Sequence, residues 1–280
     1  MSCACGASAA PRERAAKDAE QPPARTVPET TPVEFVVGNL EYLLVHEIGH
    51  FVIAEREIPI VGPLENAADY IATLALIREE PLDPLRSDRA LTFLVATAKG
   101  FEEAWRTGVS VGAEAPYWGA HALTIQRYYQ ILCLLYGSDP ERFARAAEVA
   151  SLPPARAGVC VNEYARAASA YDWLLTTYGR KPGDGEGAAI EIVYGPPPTK
   201  TSMTVLEAVR AIQLFERVSA RLRQRFTLSE PFTLVTRTCG QSQAAWVPAD
   251  RQLVICYELV DALYLLAIQS RNVANARGKR

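Results

Sequence analysis

The chain has 280 residues, 49% of them hydrophobic, and a formal net charge of −3 at pH 7. A chain of this length and composition can bury a sizeable core in one large domain or two modest ones. Its slightly acidic balance argues against a protein that binds nucleic acid through bulk electrostatics. The most apolar stretch, residues 33–53, contains two histidines and three glutamates, so the sequence predicts no transmembrane span.

Residues 1–32 consist mostly of Ala, Pro and charged residues. This composition predicts a flexible tether, because it offers little apolar surface to bury. The segment lacks the basic start and apolar core of a secretory signal peptide. Cys3 and Cys5 suggest the hypothesis of a lipid-anchored mature start, whose signal peptide is not present in this sequence. At the other end we interpret residues 271–280 as a basic, solvated tail.

Residues 33–180 are expected to be almost entirely helical. Periodic apolar residues predict a first helix at about 33–57, and Pro59, Gly62 and Pro63 predict a turn after it. A second helix is predicted from Leu64 onward, through the sequence ENAADYIATLALIREE. Further helical patterns lie at about 90–106, 116–136, 140–150 and 161–178.

The character of the sequence changes after a Gly-rich, charged linker at residues 179–188. Beyond it the patterns predict a short strand at 190–195, a helix at about 203–226, two strands at 232–239 and 252–259, and a last helix at about 257–270. We expect the last two strands to form a hairpin with a long loop. The sequence thus predicts an α+β fold that is predominantly helical, with a small C-terminal antiparallel β element.

Four cysteines lie within the predicted elements. Cys133 and Cys160 lie on two apolar helical segments, and Cys239 and Cys256 lie on the two adjacent strand-like runs. These positions suggest two local disulfides and therefore an oxidising, extracytoplasmic compartment, periplasmic or secreted. The alternative is four buried free thiols in a cytosolic protein.

The first helix contains the sequence LLVHEIGHFVI, in which His46, Glu47 and His50 form an H-E-x-x-H pattern. On a helix, residues four apart project from the same face, so both imidazoles can reach one ion. The surrounding apolar residues predict a helix that is buried on most sides. The sequence therefore predicts a metal site, and the alternative is a buried helix whose histidines are satisfied by hydrogen bonds.

Catalytic zinc normally has three protein ligands and one open position, so two histidines require a partner. The second helix offers Glu65 and, one turn later, Asp69. With a turn at Gly62-Pro63, the second helix can lie antiparallel to the first and complete a set of two histidines and Glu65. Asp69 is then expected to accept from the outer nitrogen of a ligating imidazole. The alternatives are a glutamate stabilised by the helix dipole and an aspartate on a solvated face.

The residues that carry a family resemblance are HEIGH with IPIVGPLENAADYIATLAL, QRYYQILCLLYGSDPERF, and TCG, AAW and ICYEL near the C-terminus. Over about residues 34–265 the chain resembles a bacterial metallopeptidase family otherwise labelled a domain of unknown function. Its HExGH and E-x-x-A-D segments are similar to the motifs of gluzincins, the thermolysin-like group. The resemblance implies that Glu65 is the third zinc ligand and that Asp69 supports a histidine. The family's cysteines fall on the four named above, which supports the same pairing.

His121 is the remaining histidine, and we hypothesise that it donates to the oxyanion of a tetrahedral intermediate. The alternative is a structural histidine or one that supports a ligand. In similar sequences the segment is more acidic just before the histidine than Gly119 and Ala120 are, which weakens a catalytic assignment.

These observations predict a zinc metallopeptidase that hydrolyses the peptide bonds of a peptide or protein substrate. Glu47 is expected to act as general base on a zinc-activated water. We expect one zincin-like domain at residues 33–270, with the metal site in a helical part, 33–180, and a β-containing part, 189–270. The alternative function is a non-catalytic extracytoplasmic zinc-binding or protein-interaction domain on the same scaffold. A serine nucleophile at Ser242 is disfavoured, because GQSQA leads into another strand-like run and not into a helix.

Overall fold

A computed structural model describes residues 30–79, 87–149 and 152–277 of the chain. The expected tether, including Cys3 and Cys5, therefore lies almost entirely outside the described residues, as do residues 278–280. Within the described ranges, no helix has both the length and the apolar character needed to cross a bilayer.

The fold is α+β and predominantly helical, as the sequence predicts. The helices in the described ranges are α1 (Pro32–Glu55), α2 (Leu64–Glu79), α3 (Ser87–Ser110), α4 (Thr124–Ser138), α5 (Pro140–Val149), α6 (Pro154–Tyr178), α7 (Lys200–Ala211), α8 (Leu214–Arg225) and α9 (Tyr257–Arg277). The strands are β1 (Ile190–Tyr194), β2 (Phe232–Arg237), β3 (Ala244–Val247) and β4 (Gln252–Cys256).

Helix α1 lies at the centre of the molecule. Thr31 caps its first turn in a capping box with Glu34, and Pro32 occupies the first helical position. The helix then buries residues on almost every face, and it contacts α2, α3, α9 and β3. The apolar core around it includes Leu44 of α1 and also Leu134 of α4 and Leu253 of β4. The helical part and the β-containing part therefore share one core.

The four strands form one mixed sheet in the order β1-β2-β4-β3. Strands β1 and β2 are parallel, β2 and β4 are parallel, and β3 is antiparallel to β4. The predicted hairpin between 232–239 and 252–259 is therefore wrong, and the β element is mixed and not purely antiparallel. A short 3₁₀ turn at Pro248–Asp250 and left-handed backbone at Arg251 (φ 47°) reverse the chain directly before β4. This tight reversal makes β3 the hairpin partner of β4.

Several helix boundaries differ from the predictions; for example, α6 begins at Pro154 and not near residue 161. The helix predicted at 203–226 is interrupted at Gln213, where a left-handed backbone (φ 51°) separates α7 from α8. The helix predicted at 116–136 begins only at Thr124, because turns and bends occupy the preceding residues. Helix α9 continues to Arg277, into the segment predicted as a tail.

The two predicted cysteine pairs lie at disulfide distance, with Cα separations of 5.0 Å for Cys133–Cys160 and 5.5 Å for Cys239–Cys256. The first pair joins α4 to α6. The second joins the end of β4 to the segment after β2, where Glu258 accepts from the backbone N–H of Cys239 at 3.0 Å. These pairs are compatible with an extracytoplasmic location.

Helices α4 and α6 approach each other closely at Gly137. A Cβ atom at this position would lie 2.7 Å from the carbonyl carbon of Cys160 and 2.9 Å from the Cβ of Tyr164. We expect Gly137→Ala to lower the free energy of unfolding by about 1–3 kcal/mol, because the added methyl overpacks this crossing. Urea denaturation followed by circular dichroism measures the change.

The matched control is Gly158→Ala in α6, where an added Cβ meets no atom within 4 Å. This substitution should raise the free energy of unfolding by about 0.5–1 kcal/mol, since alanine favours the helix. Equal stability of the two variants would contradict the close approach at Gly137.

Candidate metal centre

The candidate site is formed where α2 folds back along α1. The connection leaves α1 through left-handed backbone at Glu57 (φ 49°) and enters α2 after Gly62 (φ 100°). At the crossing, a Cβ on Gly49 would lie 3.2 Å from the Cα of Ala68, tighter than most contacts of real side chains. Two small residues thus let the helices approach closely, and the histidine face of α1 meets the acidic face of α2.

Three predicted ligand residues converge at this crossing. The Nε2 atoms of His46 and His50 lie 3.1 Å apart, and each lies 3.1 Å from Oε2 of Glu65. The three atoms therefore form a nearly equilateral triangle. His46 is 2% exposed, and the side chains of His50 and Glu65 are 14% and 19% exposed.

This donor set fits a zinc ion. Donors bound tetrahedrally at about 2.0–2.1 Å from one ion lie roughly 3.3 Å apart, close to the spacing of these atoms. The other ring nitrogen of His46, Nδ1, lies 2.9 Å from Oδ1 of Asp69. A proton on Nδ1 leaves a lone pair on Nε2 that points toward the Glu65 carboxylate. Two electron-rich atoms at this distance repel each other unless a cation, either a metal ion or a proton, lies between them.

The close contacts between imidazoles and carboxylates also shift the pKa values of these groups. Burial alone lowers the pKa of His46, but Asp69 and Glu65 outweigh it and raise the pKa to about 9. The adjacent His46 imidazole lowers the pKa of Glu65 to about 2. Burial raises the pKa of Asp69, whereas hydrogen bonds and charge from His46 and Arg127 bring it down to about 2. The site thus combines two ionised carboxylates with an imidazole whose protonated form they stabilise.

Asp69, on α2, is 1% exposed. Its carboxylate makes four polar contacts with residues of α1 and α4. Arg127 of α4 donates to it twice, Nε to Oδ2 at 2.8 Å and a terminal nitrogen to Oδ1 at 2.6 Å. The Tyr42 hydroxyl donates to Oδ1 at 2.9 Å, and His46 Nδ1 faces the same oxygen. Asp69 is therefore a buried carboxylate and not one on a solvated helix face.

Sequence reasoning missed Tyr42 and Arg127. Tyr42 lies one turn before His46 on α1, so its helical spacing places it on the ligand face. Arg127 is a cation at the start of an otherwise apolar helix, and burial of such a charge requires a partner. The helical spacing of Tyr42 could have been used to find it. The charge of Arg127 indicates only that it needs an acidic partner and does not identify that partner.

Glu47 lies beside the two histidines, and its carboxylate and their nitrogens are within 4.8 Å of one another. Its Oε2 accepts the backbone N–H of Trp246, in strand β3, at 2.8 Å. Burial raises the pKa of Glu47, an effect that the Trp246 N–H opposes. Glu47 therefore differs from Glu65, whose pKa is lowered by direct contact with an imidazole.

His121 also reaches the site, from the segment between α3 and α4. Its Nε2 lies 2.8 Å from Oε2 of Glu65, and its side chain is 52% exposed. Its ring lies nearly parallel to that of His46, with centroids 6.1 Å apart. Partial burial lowers the pKa of His121, which favours the neutral imidazole.

The chain matches a known protein family over most of its length. The family model described as "Putative metallopeptidase" matches residues 11–175 and 194–278 of the chain. No curated protein and no solved structure gives a significant match. The family match covers most of the 280 residues and includes every residue of the candidate metal centre.

The Asp69 contacts predict a large loss of stability when its charge is removed. We expect Asp69→Asn to lower the free energy of unfolding by about 3–5 kcal/mol, because Arg127 is then left as a buried cation without its carboxylate. Denaturation in the presence of a chelator measures this effect without a contribution from bound metal.

Tyr42→Phe is the matched comparison, since it removes a hydroxyl that donates to the same carboxylate but leaves the carboxylate charge in place. It should cost about 0.5–1.5 kcal/mol. A loss for Asp69→Asn as small as that for Tyr42→Phe would show that the Arg127 pair does not stabilise the fold.

Proposed function

The chain belongs to the family described as "Putative metallopeptidase", and we propose that it is a zinc-dependent peptidase that hydrolyses peptide bonds. The observation that carries this proposal is the triangle of His46, His50 and Glu65 donor atoms, with sides of 3.1 Å. The carboxylate of Glu47 lies beside the two histidines and takes no part in the contacts of this triangle.

In this proposal His46, His50 and Glu65 hold the zinc. Two imidazoles and one carboxylate are a ligand set typical of catalytic zinc sites. Zinc bound there would lower the pKa of a water molecule to about 7 and polarise a peptide carbonyl. Asp69 keeps the proton of His46 on Nδ1, so that Nε2 presents its lone pair to the metal.

Glu47 is the general base in this mechanism. It accepts a proton from the attacking water and transfers it to the nitrogen of the leaving amine. The Trp246 N–H holds Oε2 in place, which leaves the other oxygen of the carboxylate for the water. The raised pKa of Glu47 makes it a stronger base than an exposed glutamate. His121, whose Nε2 lies 2.8 Å from Oε2 of Glu65, is the proposed donor to the oxyanion.

Strand β3 supports a peptide as the substrate. It is the last strand in the sheet order, so one of its edges is not paired within the described residues. The Trp246 N–H that binds Glu47 lies on this edge, next to α1. An extended peptide can add to such an edge through main-chain hydrogen bonds, which brings its scissile bond near Glu47. The two cysteine pairs favour a periplasmic or secreted enzyme, and a lipid anchor at Cys3 or Cys5 stays a hypothesis from the sequence.

We expect Glu47→Gln to abolish peptide cleavage while zinc stays bound. General bases typically contribute roughly 10²–10⁴-fold to the rate, and the amide of glutamine cannot accept the proton. Purified, zinc-loaded protein is incubated with a diverse peptide library, and products are read by mass spectrometry beside the variant. Zinc content is measured on both samples.

Cleavage that persists in Glu47→Gln would refute the proposed mechanism. If the wild-type protein binds zinc and cleaves nothing in the library, the result would favour the non-catalytic zinc-binding domain.

Glu65→Ala should weaken zinc binding by more than about tenfold. Even groups that only support a ligand typically contribute 10–100-fold to affinity, and Glu65 is proposed as a ligand itself. Competition with a chromophoric chelator measures the affinity. The matched control is Glu114→Ala, which removes an exposed glutamate outside the triangle. Equal affinities of the two variants would remove Glu65 from the ligand set.

A further inference from the structure

His121 differs from the other site residues in how it is held. It lies in residues 114–122, a segment with no helix or strand that is mostly exposed. In the part of the chain that the structure describes, the backbone hydrogen bonds of this segment are local, from Tyr117 N to Ala115 O at 2.8 Å and from Gly119 N to Pro116 O at 2.9 Å. The segment makes a polar contact with another element through His121, whose imidazole contacts Glu65 of α2. The imidazole is therefore what fastens this segment to the metal centre.

The position of the His121 nitrogen fits a coordination role. All three imidazoles place Nε2 within 3.1 Å of the same oxygen, Oε2 of Glu65, and His121 is the nearest at 2.8 Å. The donor atoms of His46, Glu65 and His121 also lie within 4.8 Å of one another. A fourth donor at such distances can share one ion with the other three.

We propose that His121 is a fourth, exchangeable ligand of the metal, bound in the resting protein and released when substrate enters. The proposal rests on the function proposed above, because it assumes a metal held by His46, His50 and Glu65. Zinc with four protein ligands has no open position for water, whereas catalytic zinc keeps one open. The resting site is thus closed, and departure of His121 opens it.

The contrast in burial explains why His121 is the ligand that leaves. His46, His50 and Glu65 belong to two packed helices and have side chains 2%, 14% and 19% exposed. The side chain of His121 is 52% exposed and lies in a segment with few ties to the rest of the fold. Its displacement breaks no helix and uncovers little core. Once free of the metal, His121 is still close enough to donate to an oxyanion.

Cobalt replaces zinc as a visible probe in the test. The wild-type protein, His121→Ala and Tyr117→Ala are loaded with Co²⁺, and the visible spectrum is recorded with and without azide. Zinc affinity is measured separately by chelator competition. Tyr117→Ala is the matched control, because it removes an exposed side chain of the same segment without a ligand atom.

We expect His121→Ala to bind zinc roughly tenfold or more weakly than the wild type. We also expect azide to change the cobalt spectrum of His121→Ala, because a coordination position has become free. The spectra of the wild type and of Tyr117→Ala should not respond. Circular dichroism checks that all three proteins keep the same helical content.

Wild-type zinc affinity in His121→Ala, with the same azide response as the wild type, would overturn the fourth-ligand role and leave the proposed function intact. A wild-type protein that binds neither zinc nor cobalt would overturn the metal site itself and the role of His121 with it.

Discussion

The arrangement of the site depends on one buried carboxylate, that of Asp69. It lies on α2 and receives hydrogen bonds from Arg127 on α4, while Tyr42 and His46 on α1 contact the same group. Three helices are therefore held at one point by charge-assisted hydrogen bonds in a poorly solvated region, where such bonds are strong. Because His46 is one of the contacts, the same interaction sets both the helix packing and the orientation of a proposed metal ligand. In the proposed site, stability and metal binding are therefore coupled.

Two glutamates of the site lie in environments that push their pKa values in opposite directions. Glu65 touches imidazoles and has a pKa of about 2, whereas burial raises the pKa of Glu47. A carboxylate that stays ionised is suited to hold a cation, and one with a raised pKa is suited to exchange a proton. In the proposed function these two roles fall to carboxylates on different helices, Glu47 on α1 and Glu65 on α2, which contact different partners. Trp246, almost 200 residues away in the sequence, supplies the partner of Glu47.

Much of the site could be predicted from local spacing. The period of the helix places His46 and His50 on one face, and the short turn at Gly62 explains why Glu65 and Asp69 can meet them. The partners of Asp69 and Glu47 could not be predicted, since Arg127 and Trp246 reach the site only through tertiary packing. The direction of strand pairing could not be predicted either. Side chains alternate between the two faces of a strand in the same way whether its neighbour is parallel or antiparallel, so the patterns at 232–239 and 252–259 do not distinguish the two. The break between α7 and α8 could not be predicted, because the apolar residues there follow the period of one continuous helix. It occurs at left-handed backbone of Gln213, and glutamine is not a residue type that indicates such a conformation.

The Asp69 contacts also determine how far the site could be miniaturised. A helical hairpin of residues 32–79 contains His46, His50, Glu65 and Asp69. Arg127 lies outside it, on α4, and its guanidinium also stacks 4.1 Å above the ring of Phe101 in α3. Cut from these helices, Asp69 loses its cation and the buried surroundings that strengthen its hold on His46. A transplanted version of the Asp69 cluster therefore needs α3 and α4 in addition to this hairpin.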